Sequence, residues 1–193
     1  LPRKGFQSMQ VARRLPAEFV RDNTLAVSGL LVPEIGGPSV KPFQPPGYYR
    51  HLNFPRRVYK QDTGDTQWRR GLYVHWQRQF LHPMMKAFDA PSREECTTQR
   101  PQSNTPLAAL VLLNDPTFIE AAKAFTQRII KHGGSSASER LDYAFKESIS
   151  RSPDKFESET LIALLDDPQT TEPENWTPIA RAILNLAETN LRR

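Results

Sequence analysis

Between residues 32 and 67 the chain carries six prolines (Pro33, Pro38, Pro42, Pro45, Pro46, Pro55) and four glycines (Gly36, Gly37, Gly47, Gly64). Proline fixes φ and has no N–H to donate, so neither a long helix nor a central strand can run through this stretch. It also holds Val40, Phe43, Tyr48, Tyr49, Leu52, Phe54, Val58 and Tyr59, which is too apolar for a disordered linker. The expectation is ordered, irregular backbone laid over helices, forming the wall of any pocket.

Helical patterning surrounds this stretch. Residues 16–31 read as a first helix: Pro16 suits its first turn and Pro33 stops it. Phe19, Asn23, Ala26 and Leu30 share one face, flanked by Val20, Val27 and Leu31. Leu72, Val74 and Trp76 alternate as in a short strand, which the Asp62-Thr63-Gly64 turn would pair with residues 58–59. Residues 83–88 read as a short helix. Thr105-Pro106 opens a helix through Leu113, so nearly all apolar that burial is expected. Asp115 caps the next helix and Pro116 opens it, with Phe118, Ala121, Ala122, Phe125 and Ile129 on one face and a stop near Gly133-Gly134. Further helices are expected over 138–150, 158–165 and 175–191. The last has Thr177-Pro178 in its first turn and Ile179, Ala182, Ile183 and Leu186 facing inward.

The fold class is therefore mainly α: a helical C-terminal half packed on a Pro/Gly-rich, irregular N-terminal half with at most a short β-hairpin. One domain over 1–193 is expected, with an extended lead-in (1–15), a helix plus loop-rich basic part (16–104) and a helical part (105–193). A chain opening on Leu1 without Met is expected to be a piece of a longer one.

Composition excludes several classes. No apolar run reaches the length of a membrane-spanning helix. One cysteine gives no internal disulfide framework. There is no Cys-x-x-Cys-His haem attachment, zincin histidine pair or Gly-rich phosphate loop. The net charge of +5 is uneven: residues 1–100 hold 16 Lys and Arg against 8 Asp and Glu, residues 101–193 hold 10 against 13. A basic half rich in aromatics suits a polyanion. The simpler reading, preferred here, is that guanidinium groups hydrogen-bond the loose carbonyls of irregular backbone.

Candidate chemistry is sparse. His75 and His82, with Asp89 seven residues beyond His82, have no spacing that specifies a metal, and none is assigned. Cys96 lies between Arg93 and Arg100, which would favour a thiolate; Glu94 and Glu95 oppose it, and a buried, inert cysteine is the expected outcome. Asp62, Asp65, Asp89, Glu94 and Glu95 offer carboxylates for glycosidase-type chemistry, with Asp62 and Asp65 better explained as turn formers. The doubled arginines Arg13-Arg14, Arg56-Arg57 and Arg69-Arg70, near Tyr48, Tyr49, Tyr59 and Trp68, are the most unusual feature. Planar forks beside aromatic rings suit a carboxylate, a sulfate or a sugar.

Several segments together carry a resemblance. They are Gly36-Gly37-Pro38-Ser39-Val40-Lys41-Pro42 with Pro46-Gly47-Tyr48-Tyr49, Arg69-Arg70-Gly71-Leu72-Tyr73, and Phe88-Asp89-Ala90-Pro91-Ser92-Arg93-Glu94-Glu95-Cys96. The run from Arg100 through Ser103-Asn104-Thr105-Pro106-Leu107 to Asn114-Asp115-Pro116 joins them. The set resembles the C-terminal domain of unknown function in planctomycete-type cytochrome c multidomain proteins, densely over 11–132 and more loosely beyond. The resemblance implies a large exported protein, periplasmic or at the cell surface. Its haem c and other domains would lie upstream, with no cofactor in this chain, and by association it would have a link to polysaccharides. It implies no catalytic residue. One position departs from the family: Ala108 stands where Gln is usual after Thr-Pro-Leu.

The resulting expectation is a non-catalytic interaction or docking module whose partners are upstream domains of the same polypeptide or a polysaccharide, with nucleic acid ranked last. Candidate ligand contacts are Arg69, Arg70, Tyr48, Tyr49, Trp68, His75, Asp89, Arg93, Arg100 and Asn104. The alternative is a polysaccharide-acting enzyme domain using Asp, Glu and His as acid and base.

Overall fold

Several helix starts are written into the sequence as side-chain acceptors for the first free N–H groups, and four helices of the structure use them. This computed structural model describes residues 13–51, 56–77 and 80–192; the expected lead-in up to residue 12, with Leu52 and Phe54, lies outside them. Among the described residues the helices are α1 (Ala17–Ser28), α2 (Pro83–Ala87), α3 (Pro106–Asn114), α4 (Pro116–His132), α5 (Ala137–Ile149), α6 (Lys155–Ile162) and α7 (Pro173–Leu184). Thr105 accepts from the Ala108 N–H at the start of α3, and Asp115 from the Thr117 N–H at the start of α4. Ser136 with Glu139 and Asp154 with Glu157 form reciprocal capping boxes on α5 and α6. The one sheet among the described residues pairs β1 (Arg13–Arg14) antiparallel with β2 (Leu191–Arg192), Arg14 opposite Leu191. It ties the two ends of the described chain together.

Two apolar clusters form the core. The first gathers Phe125 and Ile129 of α4, Leu141 and Phe145 of α5, and Trp176, Ile179 and Ile183 of α7. The second joins Ala17 and Val20 of α1 to Val40, Val74, Met84, Met85, Phe88, Ala108 and Phe118. α1 and α4 contribute to both, Val27 to the first and Val20 to the second on α1, so the clusters share a spine. Side chains such as Phe125 and Trp176, with no exposed surface, each contribute on the order of 2–3 kcal/mol through burial. The Trp176 indole N–H donates to the Thr170 carbonyl at 2.9 Å, which fixes the chain entering α7.

The mainly α reading of the sequence holds, and several local expectations change. α1 ends at Gly29, which takes φ 81° and closes the helix with its N–H on Ala26 and Leu25, so Pro33 is not its stop. Its buried face carries Ala17, Val20, Arg21, Thr24, Leu25 and Ser28, whereas Phe19 and Ala26 are exposed. The irregular segment over that face offers carbonyls, and it selects Arg21 where periodicity selects Phe19. No strand forms at 72–76: Gly71–Tyr73 is a 3-10 turn, and Val40 rather than residues 58–59 pairs with Val74. α6 begins earlier than expected because Asp154 caps it. α7 begins at Pro173, so Pro178 sits one turn inside it, and the helix stops at Leu184. Ala182 on it is exposed.

The largest departure is α3. Leu107, Leu110 and Leu113 are 57%, 54% and 40% exposed, and Ala108 is the helix's only buried residue. An all-apolar helix is expected inside; here a leucine ridge faces out. Ala108 packs in the second cluster, so this position serves packing in this chain.

Candidate functional site

The arginines sort into two sets, and that sorting defines the site. One set holds irregular backbone. Arg21, with no exposed surface, donates to the carbonyls of Arg69 and Gln67, each at 2.5 Å. Arg69 reaches the carbonyls of Pro38, at 2.6 Å, and Gly36, with its guanidinium 4.2 Å from the Tyr73 ring centroid. Arg14 serves the Ser103 and Phe88 carbonyls, Arg128 that of Val27, Arg140 that of Thr170 and Arg181 that of Leu113. This is the carbonyl-bonding role preferred from composition. Burial pulls Arg21 down to about 10 against the pull of Asp22 and Asp115, so it stays charged at neutral pH.

The second set lines a cavity of about 710 Å³ walled by Gln44, Tyr48, Tyr49, Arg50, Arg56, Arg57, Val58 and Tyr59, with Pro45, Pro46 and Gly47. The local sequence builds it. Gly47 takes φ 80° and the Arg50 N–H closes a turn on the Gly47 carbonyl at 2.9 Å, a conformation open to glycine that projects two adjacent tyrosines. Tyr48 donates to the Leu81 carbonyl at 2.8 Å and Tyr59 to the Pro42 carbonyl at 2.6 Å. Tyr49 packs edge-on between Tyr59, at 5.6 Å, and Phe80, at 5.9 Å. Partial burial raises the phenol pKa of all three tyrosines, which keeps them neutral donors. Arg57 reaches Gln77 at 2.9 Å.

The other expected contacts lie elsewhere. Arg70 and Asn104 are exposed and Trp68 half-buried. Arg93 adopts φ 61° and stacks 3.8 Å from the Trp76 ring centroid. Arg100 pairs with Glu18 at 2.8 Å. Asp89 accepts from the Ser103 N–H at 2.7 Å, its hydroxyl and Arg14. Partial burial pushes the Asp89 carboxyl up, and those donors outweigh it and hold it below the ordinary aspartate value. His75 sits 3.4 Å from the Ser39 hydroxyl, its pKa lowered by burial and by Lys41 and Arg57. Of the ten expected contacts, Tyr48 and Tyr49 line the cavity. Gln44 and Arg50 were not singled out from sequence; the only signal for Arg50 was its place directly after the tyrosine pair.

The candidate acid and base groups His75, His82, Asp89 and Glu94 stay off the cavity wall, although His75 lies within electrostatic reach of Asp62 and of Arg57. His82 is buried against the Phe43 carbonyl at 2.8 Å. Cys96, expected buried, is exposed. Among the described residues no three His, Cys, Asp or Glu converge as metal ligands, and no helix is long and apolar enough to cross a membrane.

Residues 2–165 match one family model, PSD1, described as a protein of unknown function (DUF1553). No curated protein matches the chain, and no solved structure does.

Proposed function

Because that match spans most of its length, the chain belongs to the PSD1 family of unknown function (DUF1553), and from this premise we propose that it is a non-catalytic binding module. Its ligand surface is the tyrosine–arginine cavity, and its ligand is a carbohydrate. The observation that carries the reading is the anchoring of Tyr48 and Tyr59 through their hydroxyls. Anchored rings present fixed apolar surface to a sugar ring at little entropic cost. No His, Asp or Glu side chain is among the described residues that line this cavity, which supports binding over turnover. The module belongs to a large exported protein whose haem-bearing domains precede it, as its family resemblance implies.

The test is a melting-temperature screen at low and high salt against neutral glycans, acidic glycans and a DNA duplex. A ligand bound only by the folded chain raises the melting point with occupancy. The expected result is stabilisation by at least one glycan that survives high salt. No glycan shift, or one shared by every polyanion and abolished by salt, overturns the reading.

The leucine ridge of α3 favours a second reading: docking of an upstream domain of the same polypeptide. Leu107, Leu110 and Leu113 fall three residues apart on a helix without a charge, and Arg181 caps its last turn at the Leu113 carbonyl, at 2.6 Å. Pull-down of the separately produced upstream region, lost in Leu110→Lys, is the outcome that supports it.

A further inference from the structure

The cavity carries a more specific inference, which rests on the carbohydrate reading. Its wall contributes three guanidinium groups, from Arg50, Arg56 and Arg57, and no carboxylate. All three residues are exposed. Arg57 shares one N–H with Gln77, while the side chains of Arg50 and Arg56 make no hydrogen bond or ion pair among the described residues. Unneutralised positive charge on a concave wall focuses the field outward and favours an anion. A planar fork holds a carboxylate or sulfate through two parallel N–H bonds.

Two further groups need partners. Gln44 on the same wall is 8% exposed, and its Oε1 is buried without a hydrogen-bond partner among the described residues. A buried amide in that state is costly unless a donor arrives or the amide turns to present its oxygen to one. Tyr49, unlike Tyr48 and Tyr59, has no partner for its hydroxyl among the described residues. The wall therefore asks for a ligand with an anionic group, adjacent hydroxyls and a face that packs on a ring.

We propose that the cavity binds an acidic sugar unit, a uronate or a sulfate ester. Its anionic group is held by Arg56 and Arg57, with Arg50 beside them, and its ring and hydroxyls meet Tyr49 and Gln44. A phosphate polymer fits less well. Tracking a nucleic-acid backbone takes a row of free cations. Six arginines elsewhere are committed to backbone carbonyls, and Arg100 and Arg151 are paired with carboxylates.

The test is calorimetric titration of the full chain with an oligogalacturonate, a sulfated oligogalactan, an uncharged oligogalactan and oligo-dT. Proteins are the native chain, Arg56→Gln/Arg57→Gln, Tyr49→Phe and Arg70→Gln, the last an exposed arginine outside the cavity. One acidic oligosaccharide is expected to bind at least tenfold more tightly than the neutral one. It is expected to lose at least tenfold in the double variant, less in Tyr49→Phe, and nothing in Arg70→Gln. Which acid wins separates uronate from sulfate. Equal binding of the neutral oligosaccharide overturns this proposal and leaves the carbohydrate reading standing, whereas silence from all three sugars removes both. Equal loss in Arg70→Gln, or oligo-dT binding as tightly, marks a general polyanion surface and overturns the acidic-sugar site. Unchanged melting of the exposed-arginine variants distinguishes lost contacts from lost folding.

Discussion

The Arg21 guanidinium in α1 donates to the backbone carbonyl of Arg69, and the Arg69 guanidinium in turn donates to the carbonyls of Pro38 and Gly36. Two arginines 48 residues apart thereby hold two layers of irregular backbone onto one helix. The relay replaces what a sheet would supply: donors for carbonyls that prolines and turns leave without a ladder.

The relay sets the first expectation. Arg21→Ala removes the donors of two carbonyls and leaves a void where a large side chain was fully buried. The expected cost is about 3 kcal/mol or more, from unsatisfied groups and lost packing. Arg70→Ala next to it removes an exposed side chain with no hydrogen bond among the described residues, and is expected to change stability by less than about 0.5 kcal/mol. Urea unfolding of both variants checks the contrast; equal losses would show that the relay does not hold the loop.

Gly71 has a separate constraint. A Cβ there would lie 2.8 Å from the Cα and 2.9 Å from the carbonyl oxygen of Glu18, while its N–H donates to Asp22 at 2.5 Å. Neither helix backbone nor that hydrogen bond can yield cheaply. Gly71→Ala is expected to destabilise by roughly 1–3 kcal/mol through overpacking, read as a lower melting temperature. An unchanged melting point would mean the turn moves freely away from α1.

How much of this was legible from the residues depends on where the deciding contact lies. Asp115-Pro116 and the Phe118, Phe125, Ile129 stripe act within one helix, so α4 was readable in its cap and its buried face. α1 was readable as a helix and not in its orientation, because Phe19 and Arg21 exchange places only when the segment over them needs donors. α3 failed for a related reason: composition reports how apolar a helix is, and whether anything covers Leu107, Leu110 and Leu113 is settled by neighbours remote in sequence. At the candidate cavity, Tyr48 and Tyr49 stood out in the sequence as aromatic residues near the doubled arginines, and both line its wall. Arg69 read as a ligand contact and serves the backbone, while Gln44 gave no local signal and Arg50 only its place directly after the tyrosine pair.

The ridge on α3 gives a clean stability test. Leu110→Lys and Leu107→Lys place charge where the leucines are already more than half exposed, so folding is expected to change by less than about 0.5 kcal/mol. Ala108→Lys on the same helix forces a charge into the second cluster and is expected to cost several kcal/mol. Melting curves of the three variants would separate faces of the helix; a large loss in Leu110→Lys would place that leucine in the core instead.

His82 makes the fold sensitive to mild acid. It is 2% exposed; Nε2 donates to the Phe43 carbonyl at 2.8 Å and Nδ1 has no hydrogen-bond partner among the described residues. Burial drives its pKa down from 6.5 to about 4, against the raising effect of the Phe43 bond. The unfolded chain therefore binds a proton below about pH 6.5 that the folded chain takes only near pH 4, and stability falls as pH drops through that window. A shift of this size corresponds to about 3 kcal/mol across the whole window, as an order of magnitude. Carboxylates such as Asp89, whose folded pKa lies below the ordinary value, lose their contribution further down, so the loss above pH 4.5 belongs to the two histidines whose pKa is lowered, His82 and the half-buried His75, with the larger share in His82. His82→Gln keeps an N–H for Phe43 and cannot titrate. Urea unfolding between pH 7 and 4.5 is expected to show a steep loss in the native chain and a markedly flatter one in this variant. Parallel curves would place the acid sensitivity in another group.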